Sequence, residues 1–315
     1  MSRRAHDRPR PLLPTLPPVQ LARDHPPSVV RARSSSGEWE NVSRGIYLPS
    51  DPAAGPSRSR EIALGQVIGI HRRLTAPHWF SHESAALVWG LPLWITPSRT
   101  HVTRLHTAGA GRDPHVAYHS GVLTDAERTI TMGLPVTSLE RTVVDCASSL
   151  PPLHGLVVAD AALRAGANRA VIDELLVAHT GRRGVTRARA LIALADDGAE
   201  SPGESAARFV VLRDGFPAPL TQVPVTTRLG TFWSDMGWEE WRLLLEYDGR
   251  PKYQGQATEA FIKEKRRHDA LLEADWRAIR VTKEDLAGRT LTRRLLPLIP
   301  RAVASALRPR RDLRG

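Results

Sequence analysis

Residues 232–249 read Phe232-Trp-Ser-Asp235-Met-Gly-Trp-Glu-Glu-Trp-Arg-Leu-Leu-Leu-Glu246-Tyr-Asp248-Gly249. The pattern predicts two antiparallel strands joined by a tight turn, and the run of three leucines indicates that the second strand is interior. Residues two apart in a strand project to the same side, so Glu246 and Asp248 are predicted to share a face. Asp235 precedes Glu246 by eleven residues and is a third acid within reach across the hairpin.

These acids indicate a metal site, because an ionised carboxylate in an apolar run is costly unless its charge is compensated. Mg²⁺ prefers carboxylate and water oxygens and is usually held by only one or two protein carboxylates. Glu246 and Asp248, converging on one face, would therefore suit a divalent cation, with Asp235 as a candidate third oxygen ligand. A bound divalent metal lowers the pKa of its water and screens phosphate charge, which is the chemistry of a metal-dependent nuclease.

The register of the hairpin is left open by the sequence. If the turn is symmetric about Glu239, Asp235 faces Leu243 and lies on the opposite face from Glu246. A bulge or a shift by one residue instead places the two acids on one face.

Lysine is rare in this chain: the 44 basic residues include only Lys252, Lys263, Lys265 and Lys283. A compact ammonium and a guanidinium are not equivalent beside a phosphate. This favours Lys252, four residues after Asp248, as the group that stabilises developing charge during hydrolysis. For Lys263 and Lys265, an exposed basic helix face is the simpler interpretation.

Further motifs surround the hairpin in order, namely Glu204 before it, then Glu264-Lys265-Arg266-Arg267-His268-Asp269 and Trp276-Arg-Ala-Ile-Arg280-Val281-Thr282 after it. With the hairpin they resemble a Vsr-like endonuclease domain, the very-short-patch-repair-related branch of the PD-(D/E)XK superfamily, over residues 199–288. The resemblance implies that Asp235 and Glu246 bind metal and that Glu204 is the acid of the first helix. The superfamily's lysine, two places after the glutamate, is replaced here by Asp248.

Glu204 also has a structural explanation. In Ser201-Pro202-Gly203-Glu204, Ser201 suits a helix N-cap, Pro202 the first helical position and Glu204 the end of a capping box. The capping role and the nuclease role of Glu204 both stay open.

The charge of the chain is concentrated at its ends. The net charge is +11, and residues 1–33 carry seven arginines against two acids while residues 289–315 carry eight against one. We predict a disordered, basic, proline-rich arm over residues 1–33 and a basic tail over residues 291–315. Such ends bind phosphate in a salt-sensitive way or serve only solubility, and both interpretations stay open.

The region between arm and nuclease-like domain contains the runs Arg44-Gly45-Ile46-Tyr47, Ser81-His-Glu-Ser-Ala-Ala-Leu-Val-Trp-Gly-Leu-Pro and Gly133-Leu-Pro-Val-Thr-Ser-Leu-Glu-Arg-Thr-Val-Val-Asp145. These runs resemble AbiEi-type antitoxin-like proteins, the first of them the wing of a winged helix. The predicted fold class is therefore α+β. A mixed, then helical, antitoxin-like region (34–198) precedes a PD-(D/E)XK-like α/β nuclease core (199–290).

Histidine and cysteine usage argues against a zinc site in the middle region. Seven of twelve histidines fall within residues 71–119, but Cys146 is the only cysteine, so there is no cysteine-rich metal motif. We expect surface or hydrogen-bonded structural histidines. Arg141 and Asp145, four residues apart, are predicted to form an exposed ion pair on a helix.

The favoured function is a Mg²⁺- or Mn²⁺-dependent DNA endonuclease, in which Asp248 assists the metal or the attacking water. A catalytically silent DNA-binding regulator of antitoxin type is the alternative, because Asp248 stands in the usual lysine position. A third interpretation makes Glu246 and Asp248 a buried polar network with arginines such as Arg280. We expect DNA as the partner of this endonuclease or regulator. No apolar run approaches a membrane span, so we expect no membrane partner and a cytoplasmic location. The sequence does not identify a toxin partner or an oligomeric state.

Overall fold

The computed structural model describes residues 13–53, 55, 57–105, 113–249 and 258–313. The chain divides into two compact units. We call residues 11–149 and 167–185 the N-terminal unit, and residues 1–10, 150–166 and 186–315 the C-terminal unit. The units therefore interleave in sequence, whereas the sequence motifs suggested one break near residue 198.

Helices and strands occur in both units. The helices are α1 (Pro27–Ser35), α2 (Arg58–Arg73), α3 (His82–Val88), α4 (Leu139–Ser149), α5 (Pro152–Arg164), α6 (Arg169–Ala178), α7 (Val185–Ile192), α8 (Pro202–Arg213), α9 (Thr258–Glu273), α10 (Thr290–Leu295) and α11 (Arg301–Ala306). The strands are β1 (Gln20–Leu21), β2 (Trp39–Ser43), β3 (Ile46–Pro49), β4 (Trp79–Phe80), β5 (Thr100–Arg104), β6 (Val116–Ser120), β7 (Arg128–Thr131), β8 (Leu134–Thr137), β9 (Leu220–Thr227), β10 (Gly230–Trp238), β11 (Leu243–Tyr247) and β12 (Arg277–Val281). The predicted α+β class is confirmed.

The N-terminal unit contains a three-stranded sheet, in the order β1-β3-β2, and a five-stranded mixed sheet, in the order β6-β5-β4-β8-β7. Ile46 and Leu48 of β3 share a core cluster with Phe80 of β4. Helix α2 lies close against β3 because Gly69 has no side chain: a Cβ there would be 2.5 Å from Ile46 Cγ2. A larger residue at this position would force the helix away from the strand.

The segment expected to be a disordered arm is ordered from β1 onward. Leu21 of β1 is buried and pairs with Ile46, and Val19 is also buried. Residues two apart suit one face of a strand, and this short apolar signal is hidden among the prolines. Pro27 then occupies the start of α1, where its missing N–H has no helical partner to lose. Residues 1–12 lie outside the described part of the chain.

The C-terminal unit is built on a four-stranded sheet in the order β12-β11-β10-β9. Strand β10 runs antiparallel to both β9 and β11, while β12 lies parallel to β11. Leu245 belongs to a cluster with residues of α8 and α10, whereas Leu244 packs with Leu271 of α9. Both leucines are fully buried, so the predicted interior strand is confirmed. Consecutive residues of β11 thus contact helices on opposite sides of the sheet.

Part of the predicted basic tail belongs to the core of the C-terminal unit. Leu291 and Leu295 of α10 are four residues apart, fully buried, and lie in the cluster with Leu245. Leu313 is also buried. The spacing of Leu291 and Leu295 within 285–307 is that of an amphipathic helix interrupted at Pro297 and Pro300. Of the described helices, none is both long and apolar enough to cross a membrane.

The ion pair predicted on α4 forms, but the prediction that it is exposed is wrong. Arg141 is 6% exposed and its Nε donates to Asp145 Oδ1 at 2.8 Å. Its Nη1 donates to Glu127 Oε1 at 2.5 Å. Glu127 precedes β7 and packs over the helix, which buries a pair that spacing alone would leave in water.

Candidate functional site

The turn between β10 and β11 sets the register of the acids. Its last pair is Trp238 opposite Leu243. Residues 239–242 form the connection, with a 3₁₀ turn that ends at Arg242 in the left-handed region (φ 46°). The hairpin is therefore centred between Glu240 and Trp241 rather than at Glu239. Of the two registers that the sequence left open, the structure has the shifted one.

The register brings Asp235 and Glu246 to neighbouring positions. Met236 and Leu245 are the outermost registered pair of β10 and β11, and the two acids are the next residue along each strand. The side chain of Asp235 reaches the neighbouring strand, because its Oδ2 accepts a hydrogen bond of 2.6 Å from the backbone N–H of Tyr247.

The environment of Asp235 disfavours its negative charge. Burial is the largest effect, and together with the charge of Glu246 it raises the pKa of Asp235 to about 6. The Tyr247 N–H and the guanidinium of Arg267 act in the opposite direction. A nearby cation would stabilise the ionised form of a carboxyl group in this environment.

Glu204 lies at the start of α8, and its predicted capping role is confirmed. Its backbone N–H donates to Ser201 Oγ at 3.2 Å, and its Oε1 and Oε2 accept from Ser201 Oγ and the Glu200 N–H at 2.8 and 2.7 Å. Burial and the charge of Asp235 raise the pKa of Glu204 to about 7. Glu204 is thus both a cap and an electrostatic neighbour of Asp235.

Helix α8 can approach β11 because residue 203 is glycine. A Cβ on Gly203 would lie 1.8 Å from Cε1 of Tyr247. This contact brings the N-terminal turn of α8 to the strand that carries Glu246. The resemblance to nucleases pointed to Glu204, and the glycine beside it explains how the helix comes near the hairpin.

Glu204, Asp235 and Glu246 do not form one three-ligand group. Within the described residues, the His, Cys, Asp and Glu side chains with three ligand atoms all within 4.8 Å of one another are His82, His101 and His119. The metal pair of Asp235 and Glu246 stays a prediction, and the charge of Asp235 contributes to the raised pKa of Glu204.

The cation beside Glu246 is Arg267 of α9, which the sequence prediction did not assign to the site. Its Nη2 donates to Glu246 Oε1 and its Nη1 to Oε2 at 3.3 Å. Its guanidinium also lies 5.6 Å from the centre of the Phe232 ring. The signal was present in the spacing, since Arg267 is four residues before the buried Leu271 and shares its helix face.

A pocket of about 470 Å³ lies beside this ion pair, and its lining residues are Glu246, Glu264, Lys265, His268, Leu271, Ala278 and Arg280. Arg280 of β12 is in register with Glu246 of β11. Its ion pair, however, is with Glu264. Arg267 Nη1 also lies 3.8 Å from Glu264 Oε1, so Glu246 and Arg280 belong to one network of ion pairs, in which the direct partner of Glu246 is Arg267.

The remaining predicted site residues are Asp248 and Lys252. Asp248 directly follows the strand, and its backbone N–H donates to Val281 O at 2.9 Å. Lys252 lies outside the described residues. Lys265 is exposed and lines the pocket that contains Glu246. The structure therefore places one of the chain's few lysines near the acids, although not the one that the sequence favoured.

Comparisons with known proteins give relatives without an assigned activity. No family model matches the chain. It is 34% identical over 147 residues to "Uncharacterized protein MT2308" and "Uncharacterized protein Rv2248" of Mycobacterium tuberculosis, strains CDC 1551 / Oshkosh and ATCC 25618 / H37Rv. The match covers 46% of this chain and 54% of each relative, so the chain spans about half the length of the curated relatives it matches. The crystal structure of the RV2827C protein from Mycobacterium tuberculosis is similar at 18% identity and a TM-score of 0.37, over 64% of this chain and 76% of that chain. A TM-score this low carries no argument about function.

Proposed function

We propose that the C-terminal unit is a Mg²⁺- or Mn²⁺-dependent endonuclease that hydrolyses phosphodiester bonds in DNA. The observation that carries the proposal is that Asp235 and Glu246 follow the outermost registered pair of the hairpin, with the pKa of Asp235 raised to about 6 by burial and by the second carboxylate. The order of a helix, an antiparallel three-stranded meander, a second helix and a parallel strand supports it. These elements follow the order of motifs on which the Vsr-like resemblance rests.

The donor set fits a small divalent cation. One oxygen of Asp235 accepts the Tyr247 N–H, so its Oδ1 is the oxygen that would contact an ion. The carboxylate of Glu246 would supply the second ligand once the metal ion has displaced Arg267 from it. Two carboxylates completed by water are a common arrangement for Mg²⁺. When bound, such a metal supplies a water of lowered pKa and screens the charge of the phosphate.

The surrounding side chains have distinct tasks in this proposal. Lys265 and Arg280 line the pocket and would contact DNA phosphates. Glu204, with a pKa of about 7, holds a proton close to Asp235. Asp248 assisting the attacking water and Lys252 stabilising developing charge stay predictions.

One specific observation favours a second candidate, a catalytically silent DNA-binding regulator. Arg267 already neutralises Glu246 with two donated hydrogen bonds, and Asp248 replaces the lysine of the resembling superfamily. In such a protein the ion pair substitutes for the metal, and the basic side chains hold DNA without cutting it.

A plasmid-nicking assay on the full chain separates the two functions. We expect wild type to convert supercoiled DNA to open circles with Mg²⁺ or Mn²⁺, and Asp235→Asn and Glu246→Gln to lose about 100-fold or more in rate. Glu240→Gln is the matched control, since Glu240 is exposed in the turn of the same hairpin. Unchanged nicking by Asp235→Asn would defeat the metal-site assignment. A Mg²⁺-independent, salt-sensitive mobility shift without cleavage would support the regulator instead.

A further inference from the structure

Three histidines of the N-terminal unit meet although they are far apart in sequence. His82 begins α3, while His101 and His119 lie on the neighbouring parallel strands β5 and β6. The register pairs His119 with Thr103 and His101 with Ala117. His101 and His119 are therefore diagonal neighbours on one face of the sheet, and the first residue of α3 reaches the same face.

One ring nitrogen from each of the three histidines lies close enough to the other two for all three to bind a single metal ion. His101 Nδ1 and His119 Nε2 are 3.0 Å apart, and the rings of His82 and His119 stack with their centres 3.9 Å apart. One ligand nitrogen from each of the three histidines lies within 4.8 Å of the other two. Zn–N bonds of about 2.0–2.1 Å at tetrahedral angles need nitrogens about 3.3 Å apart. The pair on the strands, at 3.0 Å, is close to this distance, and His82 reaches it by a shift of at most about 1.5 Å.

The outer nitrogens of two of these rings have partners that orient them. His101 Nε2 is 3.6 Å from Glu83 Oε2. His82 Nδ1 shares a hydrogen bond of 2.9 Å with Ser81 Oγ, which also accepts from Thr103 Oγ1 at 2.8 Å. A carboxylate or hydroxyl on the outer nitrogen is the arrangement that fixes the tautomer of metal-binding histidines. It directs Nδ1 of His101 and Nε2 of His82 inward.

The neutral state of the three imidazoles and the backbone conformation of His82 are consistent with metal binding. Burial lowers the pKa of His101 and of His119 to about 4 and that of His82 well below its ordinary value. All three rings are therefore neutral near pH 7, which is the form that binds metals. His82 also has a positive φ of 52°, a conformation uncommon for a residue with a side chain. This conformation aims its ring at the strands.

We propose that His82, His101 and His119 form a binding site for one divalent transition-metal ion of the Zn²⁺ class, with water in the fourth position. Imidazole nitrogens suit Zn²⁺ and Co²⁺, whereas Mg²⁺ prefers oxygen ligands. The site is separate from the acid pair of the C-terminal unit and does not rest on the proposed nuclease function. The histidines form hydrogen bonds as the sequence led us to expect, and the metal site is proposed in addition because three elements distant in sequence converge here.

The test uses the full-length protein and two metals. We expect competition with a chromophoric chelator to give one Zn²⁺ per chain with a dissociation constant below about 1 μM, and Co²⁺ to give the visible absorption bands of a tetrahedral site. The double variant His101→Gln/His119→Gln should weaken Zn²⁺ binding about 100-fold or more. His71→Gln is the matched control, because His71 forms a hydrogen-bonded pair with His78 in the same unit; its Zn²⁺ affinity should equal that of wild type.

Two further measurements keep the test decisive if the double variant does not fold. His82→Asn retains a residue that tolerates the left-handed backbone while removing one ligand, so it should weaken Zn²⁺ binding and shift the Co²⁺ bands. Glu83→Gln should weaken binding about 10–100-fold by loosening His101. Absence of the Co²⁺ bands in wild type, or equal affinity of wild type and His82→Asn, would overturn the proposal.

Discussion

Asp235 and Glu246 directly follow Met236 and Leu245, the outermost registered pair of the β10–β11 hairpin, and the charge of Glu246 raises the pKa of Asp235. A change of one residue in the turn would send the two carboxylates to opposite faces of the sheet. The four-residue connection that ends at Arg242 therefore determines whether the chain has an acid pair at all. This dependence on one turn makes the pair accessible to direct tests.

The pH dependence of stability should report the two acids with raised pKa. The folded-state pKa values of about 6 for Asp235 and about 7 for Glu204 lie above the ordinary values of 3.8 and 4.5. The folded state thus binds protons more tightly, so its stabilisation is fullest below pH 4 and is lost as the pH rises through about 7. Thermal unfolding between pH 4 and 8 should show Asp235→Asn losing less stability with rising pH than wild type. The exposed Asp269→Asn is the control, and identical pH profiles for all three proteins would contradict the assignment.

Removal of Arg267 should strengthen metal binding at the acid pair. Its guanidinium competes with a metal for Glu246, and a partly buried ion pair contributes about 1 kcal/mol, which corresponds to about fivefold in affinity. Calorimetric titration with Mn²⁺ should therefore show tighter binding by Arg267→Gln than by wild type. Arg266→Gln, on an exposed neighbour in α9, should bind like wild type. Weaker binding by Arg267→Gln would show that the arginine supports the site instead of competing for it.

DNA binding should depend on the pocket more than on the tail. Each phosphate contact contributes about 0.9 to the slope of log affinity against log salt. Arg280→Gln should therefore lower the slope by about one, because Arg280 lines the pocket with Glu246. Arg301→Gln removes an exposed arginine of α11 and should leave the slope unchanged. The reverse result, measured by fluorescence anisotropy with the same duplex, would locate DNA binding at the C-terminal tail.

The buried ion pair of Asp160 with Arg208 should be critical for the C-terminal unit. Arg208 Nη2 donates to Asp160 Oδ1 at 2.6 Å, and the two residues are 3% and 0% exposed. Asp160→Ala leaves a buried guanidinium without its counter-charge, which costs about 3–5 kcal/mol. Asp312→Ala breaks an exposed pair with Arg310 and should cost at most about 1 kcal/mol. Urea unfolding measures both changes, and equal destabilisation would contradict the burial argument.

The hairpin and its neighbours were predictable because their signals are local. The three leucines of β11, the periodic charged helix α9 and the cap at Ser201 all follow from residues within one element, and each is present in the structure. The register of Asp235 was not predictable, because it depends on the conformation of the turn at Arg242. The predicted network of Glu246 with arginines is present, but its direct partner Arg267 was not predicted, because packing of α9 on the sheet brings Arg267 to Glu246.

Composition misled where a few apolar residues decide the structure. Leu21 is buried within a segment whose prolines indicate a disordered arm. The buried Arg141 and the meeting of His82 with His119 likewise depend on contacts between elements distant in sequence. Such contacts leave no periodic pattern that a single sequence can show.

Metal titration of the full chain by calorimetry tests the acid pair most directly. Wild type should bind Mg²⁺ or Mn²⁺, and the double variant Asp235→Ala/Glu246→Ala should lose that binding together with plasmid cleavage measured on the same samples. Histidine variants of the N-terminal unit should leave this Mg²⁺ binding intact. If folded wild type binds neither ion, or if the double variant binds as tightly as wild type, Asp235 and Glu246 are not a metal site and the endonuclease proposal fails.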